Sequence, residues 1–262
     1  MNLLTAALLG ALQGVTEFLP VSSTAHLLIA ERLLGFQDPG SVFTITIQFG
    51  SILAVMWLYR EKILSVVRGL PSDPEARRFA LMLVAAFVPA AVAALLLEGR
   101  IKALHGSMFV IALAFVIGGI VMLLVERWRP APTVTRADQT PTGRAIGVGA
   151  FQAVALVPGV SRSGATIIGG MLLGLDRPAA AELSFFLAMP TMAAAFVHDL
   201  WQVRHQLAPE RAAEIGVGLV MAFLAALLVV KPFLRFVGRS GFAPFAWYRI
   251  ALGAAMLIWL LR

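Results

Sequence analysis

The sequence predicts an all-α polytopic membrane protein, with six transmembrane helices plus two re-entrant helical hairpins arranged as an inverted repeat. The 262 residues are 60% hydrophobic and 13% charged, with a mean hydropathy of +0.87, which is typical of membrane proteins and not of soluble domains. The apolar residues form long continuous runs, which favours helices over the alternating strands of a β-barrel. The third observation is a polar motif that occurs twice within apolar surroundings.

The two copies of this motif begin at Gly10 and Gly149. Three pairs share one constant offset, namely Gln13 with Gln152, Ser22 with Ser161, and Gly35 with Gly174. Each copy is interrupted by proline and glycine and then carries hydroxyl and charged groups, which are costly in hydrocarbon unless they line a wet, functional cavity. Interrupted segments at corresponding places in two halves indicate a site at the repeat interface.

Each copy is predicted to form a pair of short helices that enters the membrane and returns, over residues 2–36 and 145–175. The alternative is that each copy is one kinked span. Six other runs are long and apolar enough to span: they are residues 42–58, 79–97, 107–125, 183–200, 214–230 and 244–261.

The predicted organisation is a single membrane domain over 1–262. It consists of a first repeat over 1–125, a linker over 126–144 and a second repeat over 145–262. The linker is rich in proline and threonine, which argues against a packed domain there.

The distribution of basic residues predicts the orientation. In this topology one side of the membrane receives twelve lysines and arginines in loops 59–78, 126–144 and 231–243, and the other side receives six. The richer side is therefore expected to be cytoplasmic. The first hairpin would then enter from outside and the second from the cytoplasm, which allows their tips to meet near mid-membrane.

Several protein classes are disfavoured. The chain has no cysteine, which excludes disulfides and thiolate chemistry. The net charge of +7 is explained by basic loops beside membrane spans, and no basic stretch is interleaved with aromatic residues as expected for nucleic-acid binding. The N-terminus lacks a basic region, so no removable signal peptide is expected.

Gln13 and Glu17 are four residues apart and share a helix face within the first motif. An ionised carboxylate in an apolar segment requires a cation, a metal or strong hydrogen-bond donors. Glu17 is therefore either a functional acid or a structural carboxylate that caps a neighbouring helix.

A cluster of hydroxyls and one histidine follows. Pro20 ends the preceding helix, and Ser22 or Ser23 can N-cap the next one. A helix N-terminus attracts phosphate. Ser23 and His26 are three residues apart, which suits a nucleophile with its base or a base with an activated water, and Thr24 lies between them. The alternative is that these hydroxyls satisfy backbone groups and His26 is a packed polar residue.

The second motif carries Ser161, Arg162, Ser163 and Thr166. Arginine binds phosphate through two parallel hydrogen bonds, and at a helix N-terminus it needs an anion nearby. The other interpretation is an ion pair with Glu17 across the two hairpins, which is compatible with substrate binding.

Three weaker predictions concern other positions. Asp176 is expected to N-cap a helix, and Arg249, beside Trp247 and Tyr248, is expected to be an interfacial anchor. Small-residue faces would allow a homodimer: they are formed by Gly118, Gly119, Ala222, Ala225 and Ala226.

The two motifs resemble those of the undecaprenyl-diphosphate phosphatase family of the bacitracin-resistance type. The first family motif is Glu or Gln, three residues, Glu, then Phe-Leu-Pro-Val-Ser-Ser-Thr-x-His, matched from Gln13 to His26. The second is Pro-Gly-x-Ser-Arg-Ser-Gly-Ala-Thr, matched from Pro158 to Thr166. The resemblance covers the whole chain and implies a bacterial inner-membrane enzyme. It would remove the terminal phosphate of a C55 isoprenyl diphosphate, recycle the lipid carrier for peptidoglycan and confer bacitracin resistance.

The resemblance also implies the site. The implied catalytic residues are Glu17, Ser23, His26 and Arg162. The implied substrate-binding residues are Gln13, Ser22, Thr24, Ser161, Ser163 and Thr166. Ser23 is expected to be the nucleophile with His26 as base or proton shuttle. In a second version His26 is the nucleophile or activates water, and Ser23 is a ligand.

A divalent cation, Mg²⁺ or Ca²⁺, is expected to be held by Glu17 together with substrate oxygens. Gln13 stands where the family often has glutamate, so Glu17 is the main acid. The expected partners are the polyprenyl diphosphate and the lipid bilayer, and the site is expected to open to the periplasm. The alternative function is a transporter or flippase of a polyprenyl phosphate lipid, because broken helices in an inverted repeat are typical of transporters.

Overall fold

The computed structural model describes residues 2–104, 106–206 and 209–261, and within these ranges the chain is helical with no strand beyond an isolated bridge between Val134 and Leu175. The helices are α1 (Leu3–Thr16), α2 (Ser23–Leu34), α3 (Val42–Leu58), α4 (Arg60–Gly69), α5 (Pro74–Leu104), α6 (Met108–Trp128), α7 (Thr142–Val154), α8 (Arg162–Leu172), α9 (Arg177–Val203), α10 (Ala212–Ser240) and α11 (Ala243–Leu260).

In the described part of the chain, five helices are long and apolar enough to cross a membrane: α5 over Pro74–Leu97, α6, α9, α10 and α11. A sixth span is possible if α3 and α4, which are bent by 72° at Tyr59, count as one. The six predicted apolar runs coincide with helices α3, α5, α6, α9, α10 and α11, and only the runs 107–125 and 244–261 extend beyond a helix, by one residue each. The prediction of an all-α, multi-pass membrane protein is therefore confirmed.

Both copies of the repeated motif form two short helices separated by a break. We call residues 17–22 the first break and residues 155–161 the second break. The breaks end on Ser22 and Ser161, whose φ angles are 66° and 76°. A positive φ in a residue other than glycine costs about 1–3 kcal/mol and persists only where the surrounding structure enforces it. The two breaks therefore share an unusual backbone at equivalent positions.

The first helix of each hairpin packs closely against a helix of the other half. A Cβ on Gly10 of α1 would lie 2.2 Å from the carbonyl oxygen of Gly218 on α10, and a Cβ on Gly149 of α7 would lie 1.9 Å from that of Ala86 on α5. Only glycine permits such backbone approach. Helices α6 and α11 pack against each other as well.

The small-residue faces expected to support a dimer are used inside the chain. A Cβ on Gly119 would lie 2.7 Å from the carbonyl oxygen of Ala246, and Ala222 and Ala226 are fully buried. These residues pack against neighbouring helices of the same chain, and the homodimer stays a prediction.

The linker packs against the end of the second hairpin. The backbone N–H of Val134 donates to the carbonyl of Gly174, and that of Asp176 donates to the carbonyl of Val134. Ala137 is fully buried. The Asp176 carboxylate accepts from the backbone N–H of Ala179 at 2.8 Å, so the predicted N-cap of α9 is confirmed.

Candidate functional site

The two breaks are in direct contact. The hydroxyl of Ser163, just after the second break, donates to the carbonyl of Leu19 in the first break at 2.8 Å. A Cβ on Gly164 would lie 3.6 Å from Cβ of Pro20. The two breaks therefore meet, as expected, and the N-termini of α2 and α8 start from adjacent points; a position near mid-membrane stays a prediction.

Glu17 is the centre of the cluster at this contact. Its Oε1 accepts from Arg162 Nη2 at 3.0 Å, and its Oε2 accepts from Ser23 Oγ at 2.5 Å and from Gln13 Nε2 at 2.8 Å. The Glu17 side chain is only 8% exposed, so the arginine and the two donors offset the cost of removing its charge from water. The predicted ion pair across the hairpins is confirmed.

Arg162 lies among groups from α9 and the first break. Its Nη1 donates to the carbonyl of Ser184 at 3.1 Å, its Nη2 contacts Met192 Sδ at 3.3 Å, and the guanidinium lies 5.9 Å from the ring centroid of Phe18. Its Nε is buried and has no hydrogen-bond partner among the described residues. One guanidinium donor therefore remains for a ligand in this site.

The hydroxyls of the second motif brace the start of α8. Ser161 Oγ accepts from the backbone N–H of Gly164 and contacts Ser163 Oγ, both at 3.1 Å, so Ser161 is the N-cap of α8. Thr166 is fully buried and its hydroxyl donates to Ser184 Oγ at 2.7 Å. These contacts hold the helix that carries Arg162.

His26 is directed away from Ser23. Its Nδ1 lies 2.8 Å from the carbonyl oxygen of Ser22, and its Nε2 lies 2.6 Å from the hydroxyl of Tyr248. A carbonyl only accepts, so Nδ1 donates and, in the neutral ring, Nε2 accepts from Tyr248. The expected contact between Ser23 and His26 is not formed, because the Ser23 hydroxyl donates to Glu17 and the His26 ring is hydrogen-bonded to Tyr248 on α11.

The two remaining predicted residues lie at the start of α2. Ser22 is buried, but its side chain makes no capping hydrogen bond. Thr24 is half-buried in the first turn. Both therefore lie at the helix end that faces the Glu17 cluster.

Arg249 was misjudged from the sequence. It is not an interfacial anchor, because only 1% of it is exposed. It donates to four backbone carbonyls, those of Pro20, Ala114, Gly159 and Val160. The adjacent Trp247 and Tyr248 suggested an interface, but a charge within an otherwise apolar run already indicated a buried functional group.

Gln152 is a second residue that the sequence analysis did not select. Its Nε2 donates to Thr191 Oγ1 at 3.1 Å, and its Oε1 is buried with no partner among the described residues. The constant sequence offset from Gln13 was the signal that pointed to Gln152. In the structure, Gln13 Oε1 is likewise buried without a hydrogen-bond partner among the described residues.

The residues present fit a cation that is shared with a phosphate group. The described residues contain no group of three or more His, Cys, Asp or Glu side chains that would hold a metal alone. Glu17 supplies one carboxylate, and Gln13 Oε1 supplies an unpaired amide oxygen beside it. Magnesium is commonly held by one or two carboxylates with substrate phosphate oxygens completing its coordination.

Comparison with known proteins gives one consistent result. Residues 6–255 match the family described as Bacitracin resistance protein BacA. The chain is 48% identical over 260 residues to the undecaprenyl-diphosphatase of Cereibacter sphaeroides (99% of this chain, 97% of the relative). It is 47% identical over 261 residues to undecaprenyl-diphosphatase 1 of Agrobacterium fabrum (99% and 97%). It is also 47% identical over 262 residues to the undecaprenyl-diphosphatase of Rhizorhabdus wittichii (100% and 98%). The resemblance inferred from the two motifs is confirmed, and the chain belongs to the bacitracin resistance protein BacA family.

Proposed function

We propose that the chain is an integral-membrane phosphatase that hydrolyses undecaprenyl diphosphate to undecaprenyl phosphate and inorganic phosphate. This activity recycles the lipid carrier for peptidoglycan synthesis and confers bacitracin resistance. The observation that carries the proposal is the Ser23 hydroxyl bonded to Glu17, which is itself paired with Arg162 from the other hairpin. Relatives named undecaprenyl-diphosphatase, at 47–48% identity over nearly the whole chain, support it.

The site suits the two parts of such a substrate. The isoprenyl tail is apolar and stays in hydrocarbon. The diphosphate head needs donors and positive charge, which the N-termini of α2 and α8 and the guanidinium of Arg162 provide. The unpaired Nε of Arg162 is the donor we assign to a phosphate oxygen.

In our proposal Ser23 is the nucleophile and Glu17 receives its proton. Ser23 Oγ attacks the terminal phosphorus, its proton passes to Glu17 Oε2, and the bond from that phosphorus to the bridging oxygen breaks. Undecaprenyl phosphate leaves, and water then hydrolyses the phosphoserine to release inorganic phosphate. Arg162 stabilises the charge on the transferred group.

We assign His26 to proton movement in the second step. Its Nε2 is hydrogen-bonded to the Tyr248 hydroxyl at 2.6 Å, which gives the ring a second group through which a proton can pass. In the alternative version His26 is the nucleophile or activates the water, and Ser23 binds phosphate. Replacing Ser23 by alanine separates the two versions, since the first loses its nucleophile whereas the second loses one phosphate contact.

The cation proposed for this site is Mg²⁺ or Ca²⁺, held by Glu17 and Gln13 Oε1 together with phosphate oxygens. When bound it screens the negative charge of the diphosphate. The protein groups position the head and move the protons as described above.

We propose further that the two halves form an inverted repeat of six spans and two re-entrant hairpins. The reciprocal packing of α1 on α10 and α7 on α5, and the matched positive-φ serines, support this. The excess of basic residues in segments 59–78, 126–144 and 231–243, which were predicted as loops but include α4 and the end of α10, supports a cytoplasmic location for them. The site then opens to the periplasm from the bacterial cytoplasmic membrane.

The test is phosphate release from a C55 diphosphate by the purified protein in detergent, with Mg²⁺ and with EDTA. We expect release with Mg²⁺ and strong loss in Ser23→Ala, Glu17→Gln and Arg162→Ala. Ser65→Ala, an exposed serine on α4, is the matched control. A folded protein that binds the lipid but releases no phosphate would favour the transporter or flippase, because release in detergent needs no second compartment.

A further inference from the structure

Arg249 on α11 places one guanidinium between the two breaks. Its Nη1 donates to the carbonyl of Pro20 in the first break at 3.1 Å and to that of Val160 in the second break at 3.0 Å. Its Nη2 donates to Gly159 of the second break at 3.0 Å and to Ala114 of α6 at 2.9 Å. A single side chain therefore bridges both hairpins.

The break carbonyls need such a partner. Beyond the ends of α1 and α7, the backbone carbonyls lack the helical hydrogen bond from an N–H four residues later. Burial in the membrane also removes water as a donor. The planar guanidinium presents two donors on each Nη, so it can serve carbonyls from both breaks together. Within the described residues, Arg249 forms no ion pair with a carboxylate. Its contacts are therefore directed at the backbone.

The surroundings are shaped to the guanidinium. It lies 5.0 Å from the ring centroid of Phe115, and a Cβ on Gly118 would lie 2.4 Å from Nη2. This end of the arginine is held by four hydrogen bonds and cannot move aside at low cost. A side chain at position 118 would therefore displace the guanidinium from the breaks.

We propose that Arg249 is a positioning residue that fixes the separation of the two breaks. Ser23 is the first residue after the first break, and Arg162 is the first residue after the second. Arg249 thus sets the distance from the nucleophile to the phosphate-binding guanidinium without touching the substrate itself. The consequence for turnover rests on the proposed function, whereas the effect on the separation does not.

Cross-linking tests the separation directly, and the chain has no native cysteine. The Cβ positions at 20 and 164 are 3.6 Å apart, within the range of about 3.5–4.5 Å that a disulfide requires. With copper-phenanthroline in membranes, we expect the Pro20→Cys/Gly164→Cys protein to cross-link readily. Adding Arg249→Met should slow this at least about tenfold, and Arg249→Lys should be intermediate because ammonium lacks the fork. An unchanged rate in Arg249→Met overturns the proposal.

Gly118→Ala tests the same role if Arg249→Met does not fold. It keeps the charge and moves the guanidinium, so the cross-linking rate should fall. Gly216→Ala is the matched control, because nothing lies within 4 Å of a Cβ there, and its rate should equal that of the parent. Equal rates in Gly118→Ala and Gly216→Ala would contradict the positioning role.

Turnover supplies the second readout. In Arg249→Met we expect kcat to fall on the order of 100-fold with KM changed less than about threefold, since a misplacement of about 1 Å can have this effect. In the Pro20→Cys/Gly164→Cys protein that also carries Arg249→Met, oxidation to the disulfide should raise kcat at least about tenfold over the reduced form. No recovery on oxidation overturns the link between separation and turnover. If the parent releases no phosphate but cross-linking still depends on Arg249, the proposed function fails and the positioning role stands.

Discussion

The first and second breaks share a backbone but carry different chemistry. Each ends a helix, places a serine at positive φ and starts a new helix. At equivalent positions, however, the first break has Glu17 where the second has Leu156, and the helix after the first break begins with Ser23 where the helix after the second begins with Arg162. The repeat thus supplies two helix N-termini that face each other. The divergent side chains place the acid and hydroxyl on one side of the contact and the guanidinium on the other, and phosphoryl transfer depends on such positioning and charge stabilisation.

The largest effect should come from Ser23→Ala. We expect kcat to fall at least about 1,000-fold, because the proposed mechanism loses its nucleophilic oxygen while the proposed phosphate contact of Arg162 is kept. Phosphate release under saturating substrate measures it, with Ser65→Ala as control. Near-normal turnover would show that Ser23 is not the nucleophile.

Arg162→Lys tests the second break. We expect a loss on the order of 100-fold in kcat/KM, because lysine cannot donate to Glu17 and to phosphate in the geometry of the guanidinium. Steady-state kinetics with the C55 diphosphate measures this. Wild-type efficiency would mean that a single positive charge suffices at position 162 and that the paired donors of the guanidinium are not needed.

Gln13→Glu should tighten cation binding at the first break only. A second carboxylate beside Glu17 should lower the Mg²⁺ concentration for half-maximal activity by about tenfold. Gln152→Glu is the comparison, since Leu156 stands where Glu17 would be and the Mg²⁺ midpoint should not change. EDTA should abolish phosphate release in the wild type and in both variants. Equal shifts of the Mg²⁺ midpoint in the two variants would contradict this difference between the two breaks.

The linker, which packs on the second hairpin, should respond to acid through Asp138. Burial raises the pKa of this carboxyl, but hydrogen bonds from Lys62 and Arg136 outweigh it, so the pKa lies below its usual value. Its contribution to stability is therefore complete above about pH 4 and is lost as pH falls through the folded pKa.

Asp138→Asn should lower Tm at pH 7 by about 2–4 °C, and the difference from wild type should shrink as the pH falls below 4. Thermal unfolding across this range measures both. A difference that is constant with pH would show that the Asp138 charge does not contribute.

The smallest effect should distinguish the two positive-φ serines. Replacing either by glycine relieves the backbone, but Ser161 also caps α8 through Gly164, whereas the Ser22 side chain makes no capping hydrogen bond. Ser22→Gly should therefore be more stable than Ser161→Gly by about 0.5 kcal/mol. Comparative unfolding of the two variants measures this, and the reverse order would assign a structural role to the Ser22 hydroxyl.

The sequence predicted well those features that depend on neighbouring residues. Hydropathy runs placed α3, α5, α6, α9, α10 and α11, and proline and glycine placed both breaks. The repeat offset identified Ser22 and Ser161 as equivalent. These follow from local properties, because helix length, chain interruption and capping are set within a few residues.

The Glu17–Arg162 pair was predicted from the sequence, but the tertiary structure alone decided the partners of Ser23, His26 and Arg249. Spacing along α2 suggested that Ser23 faces His26, but the hydroxyl bonds to Glu17 across the break, and the histidine bonds to Tyr248 on α11, 222 residues away. Arg249 looked interfacial beside Trp247, yet the packing of α11 on α6 carries it to Pro20, 229 residues away. The sequence by itself determined the helices, the breaks and the chemistry available. The partner of each polar group depended on how distant helices pack, since a membrane interior offers no water and leaves only the groups that the fold brings near.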